Sequence, residues 1–256
     1  APSSKAFIDF MAANWAPADT ELPARSTVAD FTAQRRAAIS AMFPGERLVL
    51  PAGPLKVRSN DTDYRFRPHS AFAHQTGLGL DHEPDAVLVF EPVEEGTGDS
   101  GSNHEATLYL RPLAGRDTEQ FYKDPRYGEF WVGARPTLEA MSAEYGIATA
   151  DLSELEVAIT KNAGNQALGG IRIRLVRDVD LNVDALVDTS RYNTAVDLEE
   201  SDKLDAVLTE ALSEARLVKD SIEVENLRRS VANTIDGFAE VIKALPAARD
   251  HHRGER

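Results

Sequence analysis

Four short apolar runs, each cut off by turn residues or charge, limit what this chain can fold into. RLVLPAG, Arg47 to Gly53, reads as a buried strand that Pro51 and Gly53 bring to an end. Ala86 to Phe90 and ATLYLR, Ala106 to Arg111, read the same way, and the loop EPVEEGTGDSGSNHE between them makes them antiparallel neighbours with an acidic, Gly/Ser-rich tip. IRIRLV, Ile171 to Val176, alternates apolar residues with arginine, the pattern of a half-exposed strand. Helical periods separate these runs. Ser26 is placed to cap a helix over Thr27 to Phe43, with Val28, Phe31, Ile39 and Met42 on one face and Pro44-Gly45 as its stop. Pro136 opens a helix over Thr137 to Tyr145 that Gly146 ends, and Asp151 caps another. Strands interleaved with helices predict an α/β fold, a mixed β-sheet flanked by helices.

Residues 1–25 carry Pro17, Pro23 and scattered apolar side chains without a period, and are expected to form a surface arm. At the other end, Leu198 to Val218 is an acidic amphipathic helix with Leu204, Val207, Leu208, Ala211 and Leu212 on one side. Asp220 and Glu223 then have the spacing of a capping box, and Leu227, Val231, Phe238, Ile242 and Leu245 form an apolar stripe on a last helix. That wide face has no further chain to cover it, as the opening of a second, incomplete domain would.

Composition narrows the partners. Lys plus Arg number 28 against 42 Asp plus Glu, a net charge of -14, which repels nucleic acid and anionic lipid. No window reaches the roughly 18 apolar residues of a membrane span, and the N-terminal residues lack a secretory apolar core, so a soluble cytoplasmic protein with neither nucleic acid nor membrane as partner is expected. The chain has no cysteine, which leaves His, Asp and Glu as the available metal ligands.

Read for chemistry alone, the residues give no convincing active site. His69, His74, His82 and Glu83 have the donor types for zinc or manganese, but their spacing matches no compact ligand motif, and loop histidines bonded to backbone account for them better. Ser70 near His74 lacks the sharp nucleophile turn of a serine hydrolase. Gly77-Leu78-Gly79 precedes a strand, the inverse of a dinucleotide loop, and reads as a turn. Arg65 and Arg67, two apart on an extended segment, could fork a carboxylate; ion pairs with Asp61 or Asp63 are the plainer expectation. Trp131, in a probable-loop context beside Gly133 and Arg135, is either packed or a recognition surface, and Arg228 and Arg229 read as the solvated flank of the last helix.

DYRFRPHSAFAHQTGL followed by EPDAVLVF resembles the D-x-x-Y-x-[FY]-R-x-x-S-x-F-x-Y-x-T-G-[FL]…E-P-[DE]-A-V-L-V run in the N-terminal domain of bacterial Xaa-Pro aminopeptidases, the aminopeptidase P branch of the prolidase and creatinase family. Asp61, Tyr64, Arg67, Ser70, Phe72, Thr76, Gly77, Glu83, Pro84, Ala86, Val87 and Leu88 stand at matching places. Gln34-Arg35-Arg36, Pro44-Gly45 and LVLPAG look like the family's first helix and strand, and FWVGAR, Phe130 to Arg135, like its W-x-G-x-R segment. EARLVKDSIEVENLRRS, Glu214 to Ser230, is similar to the helix that opens the catalytic pita-bread domain, with Asp220 and Ser230 as departures. His74 stands where the family often has an aromatic, and the segments Pro92 to Glu105 and Leu110 to Trp131 are longer than in compact members.

The resemblance implies an N-terminal arm (1–25), an aminopeptidase P N-terminal domain (26–213) and the first helix of the catalytic domain (214–256). It implies a parent enzyme that removes the N-terminal residue preceding proline. Two divalent ions, usually manganese, would sit on ligands absent from this segment, which by itself would hold no metal and no catalytic residue. It further implies a homo-oligomer in which Trp131 contacts peptide substrate. Tyr64, Arg67, Ser70, Phe72, Gly77 and Pro84 would be motif residues of structural use, Arg67 as a clamp. A free-standing binding or assembly module descended from such a domain is the rival expectation, and a prolidase-type or creatinase-type parent is a third.

Overall fold

The three longest apolar runs stand side by side in the computed structural model, which describes residues 3–17, 21–116 and 118–251. β1 (Glu46–Pro51), β4 (Val87–Pro92), β5 (His104–Leu110), β6 (Ala148–Asp151) and β7 (Arg172–Leu175) form one mixed sheet in the order β6-β5-β4-β1-β7. β4 runs antiparallel to both β1 and β5, with Val89 opposite Val49 and Thr107, whereas β1–β7 and β5–β6 are parallel. A small hairpin of β2 (Val57–Ser59) and β3 (Thr62–Asp63) stands apart.

Continuous apolar runs are needed because both sheet faces are covered. Leu48, Leu50, Leu88, Phe90, Leu108 and Leu110 point to one face, where α2 (Val28–Met42), α3 (Ser70–Thr76), α6 (Leu138–Tyr145) and α9 (Leu198–Glu214) supply Ile39, Phe72, Met141 and Leu208. Val49, Val87, Val89 and Leu175 alternate to the other face, against Ile159 of α7 (Leu155–Thr160) and Val183 and Val187 of α8 (Leu181–Asn193). Each such side chain contributes about 1.5–3 kcal/mol on burial.

Caps follow local chemistry. Thr137 accepts from the Ala140 amide at the start of α6, and Gly146 ends it in the left-handed conformation. Asp151 accepts from the Ser153 amide and caps a single 3-10 turn that leads into α7. In α10 (Ser221–Asp250) both arms of the capping box form, Glu223 N–H to Asp220 at 3.0 Å and Asp220 N–H to Glu223 at 3.1 Å. The chain divides into two compact units, one ending at Ala215 and one beginning at Arg216 that contains α10. The α10 stripe residues Leu227, Val231, Phe238, Ile242 and Leu245 are all exposed.

Several expected details are corrected. Residues 3–17 of the expected surface arm carry a short helix: Ser4 caps α1 (Lys5–Ala12), Phe7 meets Tyr122 edge-on at 5.3 Å, and Trp15 meets Phe121 at 5.4 Å. Thr27 occupies the cap position of α2 without a side-chain bond, while the Ser26 hydroxyl accepts from the Val28 N–H at 3.4 Å; the helix's buried face is Ala29, Thr32, Arg36, Ile39 and Ser40 while Met42 is exposed. That face is partly polar, with Arg36 donating to the Gln75 carbonyl at 2.9 Å, so an apolar-only count puts it about one position off. β7 is buried rather than half-exposed because Arg174 pairs with Glu46 of β1 and donates to the Leu204 carbonyl at 2.7 Å. In α9, Val207 is exposed, and Asp205 takes a buried place beside Leu208 and Leu212.

His104 at the start of β5 is buried; its Nε2 lies 2.7 Å from the Glu46 carbonyl and its Nδ1 2.7 Å from the Ser40 hydroxyl. The carbonyl can only accept, so Nε2 donates; in the neutral ring Nδ1 is then the acceptor and the Ser40 hydroxyl donates to it. Burial lowers the imidazole below its ordinary value. The unfolded chain therefore takes up a proton near pH 6.5 that the native one refuses, and stability falls as pH drops below that point. Replacing His104 by Gln should flatten the stability-versus-pH slope between pH 7 and 5 by up to about 1.4 kcal/mol per pH unit, read from urea titrations; an unchanged slope would refute the assignment.

Candidate functional site

The residues of the DYRFRPHS stretch do not gather as a cluster of charge. Tyr64 leaves β3 exposed, its N–H donating to the Lys56 carbonyl at 2.8 Å, and Phe66 turns into the core. The expected arginine pairings are redistributed: Arg65 binds Asp81, and Asp63 is taken by Arg126 at 2.9 Å. Arg67 is exposed and has no ion pair among the described residues. With Lys56, Tyr64, His69, Ser70 and Asp178 it lines a cavity of about 370 Å³.

From Ser70 onward the chain is helical rather than loop. α3 runs from Ser70, exposed, through fully buried Phe72 to Thr76, and Gly77 ends it at φ 82°. A Cβ on Gly77 would lie 2.7 Å from Val28 Cγ1, so glycine is required there both for its φ and for the approach of α2. The histidines separate. His69 precedes α3, His74 is buried on it with Nδ1 3.2 Å from Gln75 Nε2, and His82 Nε2 lies 3.5 Å from the Tyr145 hydroxyl. Among the described residues no group of three or more His, Asp or Glu is placed to hold a metal ion. Ser70 is exposed at the start of α3, and His74, four residues on, is buried.

Five aromatics fall in the segment 120–136, of which Phe130 and Trp131 are exposed. α4 (Gln120–Lys123) and α5 (Glu129–Val132) are single turns, and Trp131 lies on the second rather than in a loop. Trp131 is 58% exposed, yet its indole N–H donates to the Tyr122 carbonyl at 2.8 Å, which fixes one ring edge and presents the rest to solvent. Phe130 packs edge-on against Trp131 at 5.3 Å and against Phe121 at 6.3 Å, and Trp15 closes the cluster at 6.2 Å from Phe130.

Behind this platform lies a polar lock that sequence reasoning missed. Glu83 is bound by Arg135 in a nearly dry pair, their side chains 7% and 12% exposed. The Tyr127 hydroxyl donates to Asp85, and the Tyr127 ring lies under Arg111 at 3.8 Å. Burial pushes the Glu83 carboxyl above the usual carboxylate range, with the Arg135 charge acting against it; burial, and then the bond to Asp85, pushes the Tyr127 phenol up as well. Pro84, half-buried, sits between the two acids. Tyr64, His82, Glu83, Tyr127, Arg135 and Tyr145 line a shared cavity of about 600 Å³. The signal was present in two segments, EPD and WVGAR, but their meeting could not be read from either.

The family described as aminopeptidase P, N-terminal domain, matches residues 31–168. Xaa-Pro aminopeptidase 1 of Streptomyces coelicolor is 40% identical over 240 residues, covering 93% of this chain and 43% of the relative. Xaa-Pro aminopeptidase 2 of the same organism is 37% identical over 238 residues, covering 93% and 45%. The chain thus spans less than half the length of these relatives. Among solved structures, proline aminopeptidase P II from Yersinia pestis aligns with a TM-score of 0.52 at 21% identity over 78% of this chain and 42% of its own, a likeness of fold. With the sheet order, the EPD and WVGAR segments in contact, and the family match over more than half its residues, this chain belongs to the aminopeptidase P family and carries its N-terminal domain.

Proposed function

We propose that this chain is the N-terminal part of an Xaa-Pro aminopeptidase, the part that assembles the enzyme and shapes the substrate site while the metal chemistry is supplied by residues outside it. The observation that carries the reading is Trp131: a large aromatic held by one hydrogen bond and an aromatic platform, with most of its face free for a ligand. Such a face suits the apolar rings and backbone of a peptide with proline in the second position. Divalent ions, manganese being usual in the family, would activate water and polarise the scissile carbonyl when bound by the rest of the enzyme. Arg67, spare and exposed, is free to clamp a carboxylate of another segment or subunit in a homo-oligomer. The exposed α10 stripe, Leu227 to Leu245, is consistent with a helix that packs only within a larger assembly. No helix among the described residues is long and apolar enough to cross a membrane.

The test is an assay for Mn²⁺-dependent release of the first residue from an Xaa-Pro-Xaa peptide, run on this chain and on a full-length enzyme that contains it. Activity in the full-length enzyme and none in the chain is expected. Robust turnover by the purified chain would overturn the placement of the chemistry, and an inert full-length enzyme would favour a binding module.

A further inference from the structure

The turn from Asp81 to Asp85 is costly in a way that its role as a connector between α3 and β4 does not explain. Asp81, Glu83 and Asp85 all have left-handed backbones, with φ of 64°, 33° and 64°. A residue with a Cβ disfavours this backbone, Glu more than Asp. Glycine at these positions would remove the strain at no steric cost, but it would also remove three carboxylates, and each of these holds an arginine or a tyrosine. Asp81 holds Arg65; Glu83 holds Arg135; Asp85 holds Tyr127.

Two of those partners bracket Trp131. Tyr127 lies four positions before it and Arg135 four after, and the Arg135 N–H donates to Glu129 Oε1 at 2.9 Å, closing the turn upon itself. Between Trp131 and Arg135 the chain has little packing of its own: Val132 is exposed, and a Cβ built on Gly133 meets nothing within 4 Å. Arg126 adds a third tie, to Asp63 of the β2–β3 hairpin. The indole bond to the Tyr122 carbonyl and the Phe130 contact fix the Trp131 side of the turn, and these anchors tie the turn at both ends, where the segment after Trp131 has no packing to hold it.

We infer that Glu83 and Asp85, acting through Arg135 and Tyr127, are positioning residues that hold Trp131 in one orientation for the peptide, an inference that rests on the reading of Trp131 as the substrate-contacting residue. Neither acid touches the peptide. The strained turn holds the two anchors in place, and the Trp131 ring is presented at a fixed angle without a side chain having to pack against its exposed face.

The chain has two tryptophans, so a Trp15→Phe background leaves Trp131 as the sole emitter. In that background Glu83→Gln and, as the milder variant that removes one hydroxyl, Tyr127→Phe should each raise acrylamide quenching of Trp131 and lower its anisotropy, with circular dichroism unchanged. In the full-length enzyme the same variants should raise KM for Xaa-Pro-Xaa peptides about tenfold with kcat little changed, and Glu83→Asp should recover part of the loss. Unchanged quenching and anisotropy in both variants would overturn the inference. Altered Trp131 fluorescence with wild-type KM would instead leave the positioning intact and sink the assignment of Trp131 to substrate.

Discussion

Replacing Asp205 by alanine should destabilise the unit ending at Ala215 by about 3–5 kcal/mol, the loss expected when a buried ion pair keeps only its cation. Asp205 is 2% exposed and fully used. Its Oδ1 accepts from the Leu175 N–H at 2.9 Å and Arg191 at 2.7 Å, and its Oδ2 from Arg191 and Arg177, both at 2.9 Å. The variant leaves Arg191, whose side chain is 3% exposed, with the Ile173 carbonyl at 2.9 Å and a longer contact to Asp188 at 3.6 Å, and frees a backbone donor at the end of β7. Asp202, 62% exposed and 3.0 Å from the same Arg177, is the control, and its alanine variant should cost less than about 1 kcal/mol. Urea unfolding followed by circular dichroism decides; similar small losses at both positions would contradict the account of α9 as a helix docked through its acid.

Gly128→Ala is expected to cost about 3 kcal/mol by overpacking. Its φ of -68° suits any residue, so the demand for glycine is purely one of space. An added Cβ would lie 2.5 Å from the Phe121 carbonyl oxygen and 2.6 Å from those of Gln120 and Asp124. Those three oxygens belong to the backbone of the α4 turn and cannot rotate away, so α5 must lift and carry Trp131 with it. Gly133→Ala meets no atom, and its cost is the backbone strain of about 1–3 kcal/mol at a φ of 88° and ψ of -176°, a region held almost only by glycine. Thermal melts of both variants, with Trp131 emission recorded in the Trp15→Phe background, check the ordering; a Gly128→Ala protein as stable as the parent would show that the platform is looser than described.

The contrast between these sites and the strands shows what the sequence makes legible. β1, β4 and β5 were readable because a strand covered on both faces must be apolar throughout, and the loop between β4 and β5 carries its own turn chemistry. The fold class followed from their alternation with helices. α3 was not readable: only seven residues long, it buries His74, Gln75 and Thr76 alongside Ala71 and Phe72, so no apolar period exists to find. α8 hides for the same reason, with Asp184 and Arg191 on its buried side. β7 was assigned as a strand but misjudged in burial, since the partner of Arg174 is Glu46, 128 positions away. Ion pairs of that separation leave no mark in local periodicity.

The candidate site divides along the same line. Trp131 stands out as a large aromatic beside Gly133 and Arg135, and family resemblance gives it a role. The Glu83–Arg135 lock lay in two segments that were each quoted, 52 positions apart, but a buried pair is visible only once the two segments face each other. The aromatic contribution of Phe7 and Trp15 was lost because eight helical residues within a stretch interrupted by prolines give too short a signal.

The most direct test of the central claim, that this chain shapes the peptide site through Trp131, is steady-state kinetics of Trp131→Ala in the full-length enzyme, with its oligomer state measured by light scattering on the same samples. The account predicts a fall of about tenfold or more in kcat/KM for Xaa-Pro-Xaa peptides, or a change in assembly that accompanies it. Wild-type kinetics together with a wild-type oligomer would contradict it.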